Sequence, residues 1–218
     1  MRAKILVIVL VLFLVPGLSQ AQLIKGWGFT AGYTTTDVKA SAFEDSYKNR
    51  TGMCAGIYIE WLKIPFISVI TQAEYTQKGF REEQVETDIL GSYVGTATAE
   101  TRLDYISLPI LAKFRYPSIV IEPYFVTGPR FDFLINHDNG SFDFNEGSVR
   151  SEIADYFTDK VYGWTFGGGL TLPQIFNNAL SLEIDYNIDF TDSFDHVSEV
   201  LDMEVKNRTF DVRLRLIF

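Results

Sequence analysis

The sequence predicts an all-β fold, an eight-stranded antiparallel up-and-down transmembrane β-barrel. Three observations carry that reading. Apolar residues recur with period two through eight segments, and no 3.6-residue period persists for more than two turns. The connections between those segments take turns, one short, the next long and polar, as in a barrel with tight turns on one side of a membrane. Aromatic residues make up 15% of the 218-residue chain, as 18 Phe, 11 Tyr and 3 Trp. They gather near segment ends, where two headgroup levels would lie.

The first element is a leader. Arg2 and Lys4 precede an apolar run from Ile5 to Leu18, and Ser19-Gln20-Ala21 places small residues at the −3 and −1 positions of a cut after Ala21. That is the pattern of a secretory signal peptide over residues 1–21. The run carries Pro16-Gly17 and falls short of the ~20 residues a spanning helix needs. Gln22 follows the cut where a lipid-anchored protein has Cys. The mature chain, 22–218, then carries 17 positive against 28 negative charges.

The strands follow in order: residues 27–35, 51–62, 66–80, 102–116, 119–136, 162–172, 180–190 and 209–218. Each has about nine residues or more, enough for a tilted strand to cross the hydrocarbon. The last two alternate most clearly. Leu180, Leu182, Ile184, Tyr186, Ile188 and Phe190 interleave with polar residues, as do Phe210, Val212, Leu214, Leu216 and Phe218. Residues 63–65, 117–118 and 173–178 form the short turns; residues 36–50, 81–101, 137–159 and 191–206 form the long loops. Both termini fall on the short-turn side, which is periplasmic in an outer-membrane barrel.

A soluble eight-stranded barrel of lipocalin type also alternates, with its apolar face inward. Aromatics favour the membrane reading: Trp61, Phe66, Tyr116, Phe176 and Phe218 near the short turns, Tyr33, Tyr75, Tyr105, Tyr162, Trp164 and Phe190 near the loops. Pro109, Pro123 and Pro129 lie within strands of a sheet that has no free edge, and predict bulges there.

By parity, Glu60, Glu74, Lys78, Lys113, Arg115, Glu122, Arg130, Asp132, Glu183, Asp185, Asp189, Asp211, Arg213 and Arg215 face the lumen. Eight strands enclose a space just wide enough for side chains to fill. Buried ions there need partners, and Glu183 and Asp185 are expected to pair with Arg213 and Arg215 as structural lumen charges. A proton or ion path along that column is the functional alternative.

Several chemistries find little material. A net charge of −9 argues against nucleic acid, which needs a basic face. One cysteine, Cys54, provides neither a disulfide framework nor a CxxC metal site. No cofactor motif is present; Gly167-Gly168-Gly169 lies mid-strand with no following helix, and is expected to make room for bulky lumen neighbours. His137 and His196, each beside Asp in a long loop, leave open an outer-membrane hydrolase with a loop-borne His/Asp site, or a weak metal site.

The loops carry acids (Glu82, Glu83, Glu86, Asp88, Asp138, Asp143, Glu146, Asp192, Asp195, Glu199, Asp202, Glu204) together with Phe142, Phe144, Tyr156 and Phe157. Loops on a rigid scaffold often carry recognition. These suit contact with an envelope protein or a glycan, or equally a solvated face.

Four stretches carry a family likeness: residues 72–79 (QAEYTQKG), 104–113 (DYISLPILAK), 122–129 (EPYFVTGP) and the C-terminal 210–218. Through them the chain resembles the PorT-like group of outer-membrane β-barrels of Gram-negative bacteria, over nearly the whole mature length. The resemblance implies a small barrel in outer-membrane lipid. It implies no catalytic motif, and one group member's link to protein secretion raises a role in export or envelope organisation.

Overall fold

The computed structural model describes residues 23–40, 47–62, 64–87, 93–144, 147–150, 158–175, 178–191 and 205–218. The leader, Lys63, Phe176, His196 and the loop residues Asp88, Glu146, Tyr156, Phe157, Asp192, Asp195, Glu199, Asp202 and Glu204 lie outside them. The described residues form ten strands: β1 (Ile24–Ala40), β2 (Tyr47–Trp61), β3 (Ile67–Thr87), β4 (Tyr93–Arg115), β5 (Glu122–Asp138), β6 (Ser141–Phe144), β7 (Gly147–Arg150), β8 (Lys160–Ile175), β9 (Asn178–Asp189) and β10 (Val205–Ile217). Eight close into a ring in the order β1-β10-β9-β8-β5-β4-β3-β2, while β6 and β7 form a separate hairpin. Every pair in the ring is antiparallel, and the seam runs from Gly28↔Ile217 to Ala40↔Val205.

Alternation resolves into two faces. On β9, Ser181, Glu183, Asp185, Asn187 and Asp189 are buried while Leu182 and Ile184 are about half exposed; β10 repeats this with Thr209, Asp211, Arg213 and Arg215 inside and Phe210, Val212, Leu214 and Leu216 outside. Polar residues fill the interior and aliphatic ones coat the wall. That is the reverse of a soluble barrel and the arrangement lipid requires. Trp61 and Trp164 stand at the wall, and each donates its indole N–H to a neighbouring threonine, Thr71 and Thr127, at 2.8 Å. Those bonds satisfy donors that face no water.

Several expectations change, the first at the loop over 36–50, where β1 runs on to Ala40 and β2 begins at Tyr47. The long loop at 81–101 is largely strand: β3 and β4 stay paired from Phe80↔Thr101 to Glu86↔Gly95 and rise as a ribbon above the barrel. Running from Tyr93 to Arg115, β4 is far longer than the apolar band of an outer-membrane barrel is tall, even when tilted. The loop at 137–159 contains the β6–β7 hairpin, which lies against β4: a Cβ on Gly140 would come within 2.7 Å of the Glu100 backbone. The fifth strand starts at Glu122, and Ile119, 95% exposed, belongs to the turn. Tyr105 belongs to the interior, fully buried, because it shares parity with Lys113 and Arg115 along β4.

The prolines are absorbed without bulges. Around Pro109, the β3–β4 ladder lapses between Thr71↔Ile110 and Glu74↔Ser107 and resumes in the same register. Around Pro129, the β4–β5 ladder does likewise between Pro109↔Arg130 and Ala112↔Thr127. Each missing N–H therefore costs a local bridge in one ladder and leaves the register alone. Pro123 sits at a strand end, where its carbonyl accepts from Tyr116 N at 2.9 Å. The register shifts fall elsewhere, among them Asn49/Cys54 and Asp104/Tyr105. Opposite the first, Gly79 takes a positive φ, and a Cβ there would lie 2.1 Å from the Thr101 carbonyl oxygen, so only glycine fits.

Candidate functional site

The inward parity of the strands stacks charged side chains along the bore. At the outer end a separate pair of bonds lies on the opposite face of the ribbon, where exposed Glu100 on β4 receives Arg50 at 2.8 Å and Arg81 at 3.0 Å. Below it, Lys78 on β3 meets Asp132 at 2.6 Å and Asp189 at 3.2 Å, while Arg130 contacts both acids, Asp132 at 3.0 Å. The Lys78 ammonium also stands 5.0 Å over the Tyr105 ring, an attraction that gains strength where water is excluded.

At mid-height the structure places Glu183 and Asp185 on β9 and Arg213 and Arg215 on β10, all inward and all buried. In register, Arg213 faces Glu183 and Asp211 faces Asp185. The ion pairs run diagonally: Arg213 to Asp185 and Arg215 to Glu183. Arg213 has further partners, Asp211 at 2.7 Å on its own strand and Glu74 at 2.8 Å from β3 across the bore. Parity had placed Glu74 inside. Its pairing with Arg213 follows only from closure, which carries β3 round to face β10. Asn187 bridges Thr209 at 2.9 Å and Asp211 at 2.6 Å, and Thr165 donates to Asn187 at 2.6 Å.

Near the short-turn end Glu60 is the hub. It accepts from Arg115 at 2.6 Å, Ser68 at 2.8 Å and Lys25 at 3.0 Å, with Lys113 at 3.5 Å. Glu122 stands half-buried at the rim, 3.9 Å from Arg115. Above this hub, Tyr58, Ile70, Leu111, Tyr124 and Val126 form an apolar cluster, with Ile217 packed against it. Lys113 lies 4.0 Å over the Tyr124 ring and Arg215 lies 5.1 Å over that of Tyr58.

Two glycines shape this interior. A Cβ on Gly167 would fall 1.8 Å from Asp185 Oδ1, and one on Gly169 would fall 2.5 Å from the Tyr124 ring. Their missing side chains are the space those groups occupy. Cys54 is buried on β2 within the same wall.

Of the two histidines, His137 is exposed at the outer end of β5, and the described residues give the hydrolase reading no support. Among those residues no group of three or more His, Cys, Asp or Glu is arranged to hold a metal ion.

A closed eight-stranded ring with an apolar outside and a charged inside has a counterpart among known families. Residues 20–195 match the family described as outer membrane protein beta-barrel domain. The chain belongs to that family. Its apolar wall therefore faces outer-membrane lipid. Solved structures similar to it include OprG from Pseudomonas aeruginosa (10% identity, TM-score 0.47, 90% of this chain and 97% of that one). Neisserial surface protein A (13%, 0.45, 88% and 97%) and Ail of Yersinia pestis (14%, 0.42, 88% and 98%) are also similar. No curated protein matches the sequence.

Proposed function

We propose that this outer-membrane barrel is a plugged scaffold of the PorT-like type that works through its outer surface, in envelope organisation or protein export. The observation that carries the reading is the interior. Paired charges and an apolar cluster occupy the bore along its height, so Glu183, Asp185, Arg213 and Arg215 act as structural charges. With the bore occupied, recognition falls to the β3–β4 ribbon, the β6–β7 hairpin against it and the acidic, aromatic loops. Their chemistry suits an envelope protein or a glycan.

Crosslinking in intact outer membranes, followed by capture of the barrel, tests the role. The expected result is a partner held by the wild type and lost when residues 84–96 are replaced by a two-residue turn. A partner retained by the shortened barrel, or none captured by either, overturns the reading. Arrival in the membrane is part of the same proposal, with residues 1–21 removed after Ala21. Intact mass should place the mature N-terminus at Gln22, and a mass that includes the leader refutes that step.

A further inference from the structure

The mid-lumen charges do not balance. Four carboxyl groups, Glu74, Glu183, Asp185 and Asp211, surround two guanidinium groups, Arg213 and Arg215, and none of the six is more than 4% exposed. Towards the loops Lys78 and Arg130 are already matched by Asp132 and Asp189; towards the short turns Arg115 and Lys113 share Glu60, so one further cation at most, Lys113 over the Tyr124 ring, stands near the four acids. Uncompensated charge in such an enclosure is costly, and carboxylates sharing a site cannot all ionise freely.

The donors show where the excess sits. Glu74 is satisfied at both oxygens, Oε1 by Thr76 and Arg213 and Oε2 by Gln72 at 2.8 Å. Asp211 Oδ2 takes Arg213 and Asn187. Asp185 is held through Oδ2 by Arg213, and Glu183 through Oε1 by Arg215. That leaves Asp185 Oδ1, Glu183 Oε2 and Asp211 Oδ1 without a hydrogen bond of ordinary geometry among the described residues, with the Tyr124 hydroxyl, likewise unpartnered, standing within reach of Glu183. Glu183 and Asp185 are two apart on β9, on the same face, with their carboxyl groups within hydrogen-bonding reach of each other. Ionised carboxylates only accept, so a bond between two of them requires a proton.

We propose that Glu183 and Asp185 form a buried proton-binding site, in which one proton, shared between Asp185 Oδ1 and Glu183 Oε2, is retained at neutral pH. The proton comes from bulk water as the barrel closes, and no co-reactant is needed. The two arginines hold the outer oxygens and turn the inner pair together. Other titratable groups facing the site are Cys54 and Tyr58 on β2, Glu74 on β3, Tyr124 on β5 and Asp211 on β10; β8 contributes Gly167 and Gly169, which carry none. The folded barrel holds a proton that the unfolded chain releases above about pH 4, so this site's contribution to stability falls with rising pH from there, through neutral, until the folded site itself gives the proton up.

The inference rests on the filled-bore reading, and infrared spectroscopy of the barrel in lipid at pH 7 tests it. The wild type should show the carbonyl stretch of one protonated carboxylic acid, shifted in D2O. Asp185→Asn should lose that band yet fold, since its amide can donate to Glu183, and Glu183→Gln should lose it too. The unfolding midpoint of the wild type should drop between neutral and alkaline pH, with the drop absent in Asp185→Asn. No acid band in the wild type overturns the proposal, leaving the two oxygens bridged by water or a cation. A band surviving both substitutions overturns it as well, by placing the proton on Glu74 or Asp211. A missing band in a barrel that passes no current sinks the proton site alone. A steady porin-sized current sinks the filled bore and the site with it.

Discussion

The interior is decided atom by atom, and the glycines of β8 show the tolerance. Alanine at 167 must displace the Asp185 carboxyl, which Arg213 pins, or Val126, whose Cγ2 would be 2.9 Å away. Its neighbour Gly168 faces the other way, and its nearest atom, the Tyr124 carbonyl oxygen, is 3.4 Å from a Cβ. Gly167→Ala should therefore destabilise by about 1–3 kcal/mol, as overpacked sites do, while Gly168→Ala stays within about 1 kcal/mol of the wild type. Urea unfolding midpoints decide it, and equal losses would show that Asp185 does not stand over Gly167. The arginines are likewise unequal. Arg215→Met strands one acid, Glu183, whereas Arg213→Met strands Glu74, Asp185 and Asp211. Breaking a buried pair from one side costs about 3–5 kcal/mol, and Arg213→Met should lie at the top of that range, above Arg215→Met. Adding Asp185→Leu to it should restore little until Glu74→Gln is added as well. Full rescue by Asp185→Leu alone would remove Glu74 from the account.

At the scale of elements, the sequence displayed what lies in lipid and concealed what rises above it. Strands β9 and β10 were legible because the bilayer demands large apolar residues on one face, as in Leu182-Ile184 and Val212-Leu214-Leu216. The upper part of β4 also has period two, with Ala97 and Ala99 buried between exposed Thr96, Thr98 and Glu100. In water nothing requires the residues on its open face to be apolar, so the pattern reads as loop. Diagonal pairing was hidden for a different reason: parity gives a side chain's face, whereas its partner across the bore depends on the strand count and stagger. The ribbon's own stability has a pH signature. Partial burial pushes the Glu100 carboxyl up, but hydrogen bonds and charge from Arg50 and Arg81 outweigh it and hold the group below the usual carboxylate range. A carboxyl lowered on folding contributes stability that is complete above its unfolded value of about 4.3 and is lost as pH falls through the folded value. Amide hydrogen exchange over 96–101, corrected for intrinsic rates, should therefore lose protection on acidification below about pH 4. In Glu100→Gln that loss should vanish; an unchanged profile would assign it to other acids.

For the whole molecule, the question is whether water can run the length of the bore. The charged layers alone do not forbid it, since side chains in a wet channel also pair. The apolar cluster does. Tyr58, Ile70, Leu111, Tyr124 and Val126 are each no more than 6% exposed and pack together inside the barrel between Arg213 and the short turns. An ion crossing there would exchange its hydration shell for little more than the hydroxyls of Tyr58 and Tyr124, with the Lys113 and Arg215 cations over their rings to repel it if positive. The seam adds rigidity at the same level: Phe218 N donates to Trp27 O at 2.8 Å, and the two rings stack at 5.0 Å between centroids. In planar bilayers the wild type should accordingly show no steady porin-sized conductance. Enlarging the constriction with Leu111→Ala and Val126→Ala together should admit water and produce small, discrete openings, whereas Arg213→Met, which leaves the constriction intact, should lower stability without opening it. The opposite ranking, current from Arg213→Met and none from the double alanine variant, would make the charged column the gate. Stable large channels in the wild type would show that the cluster does not close the bore at all.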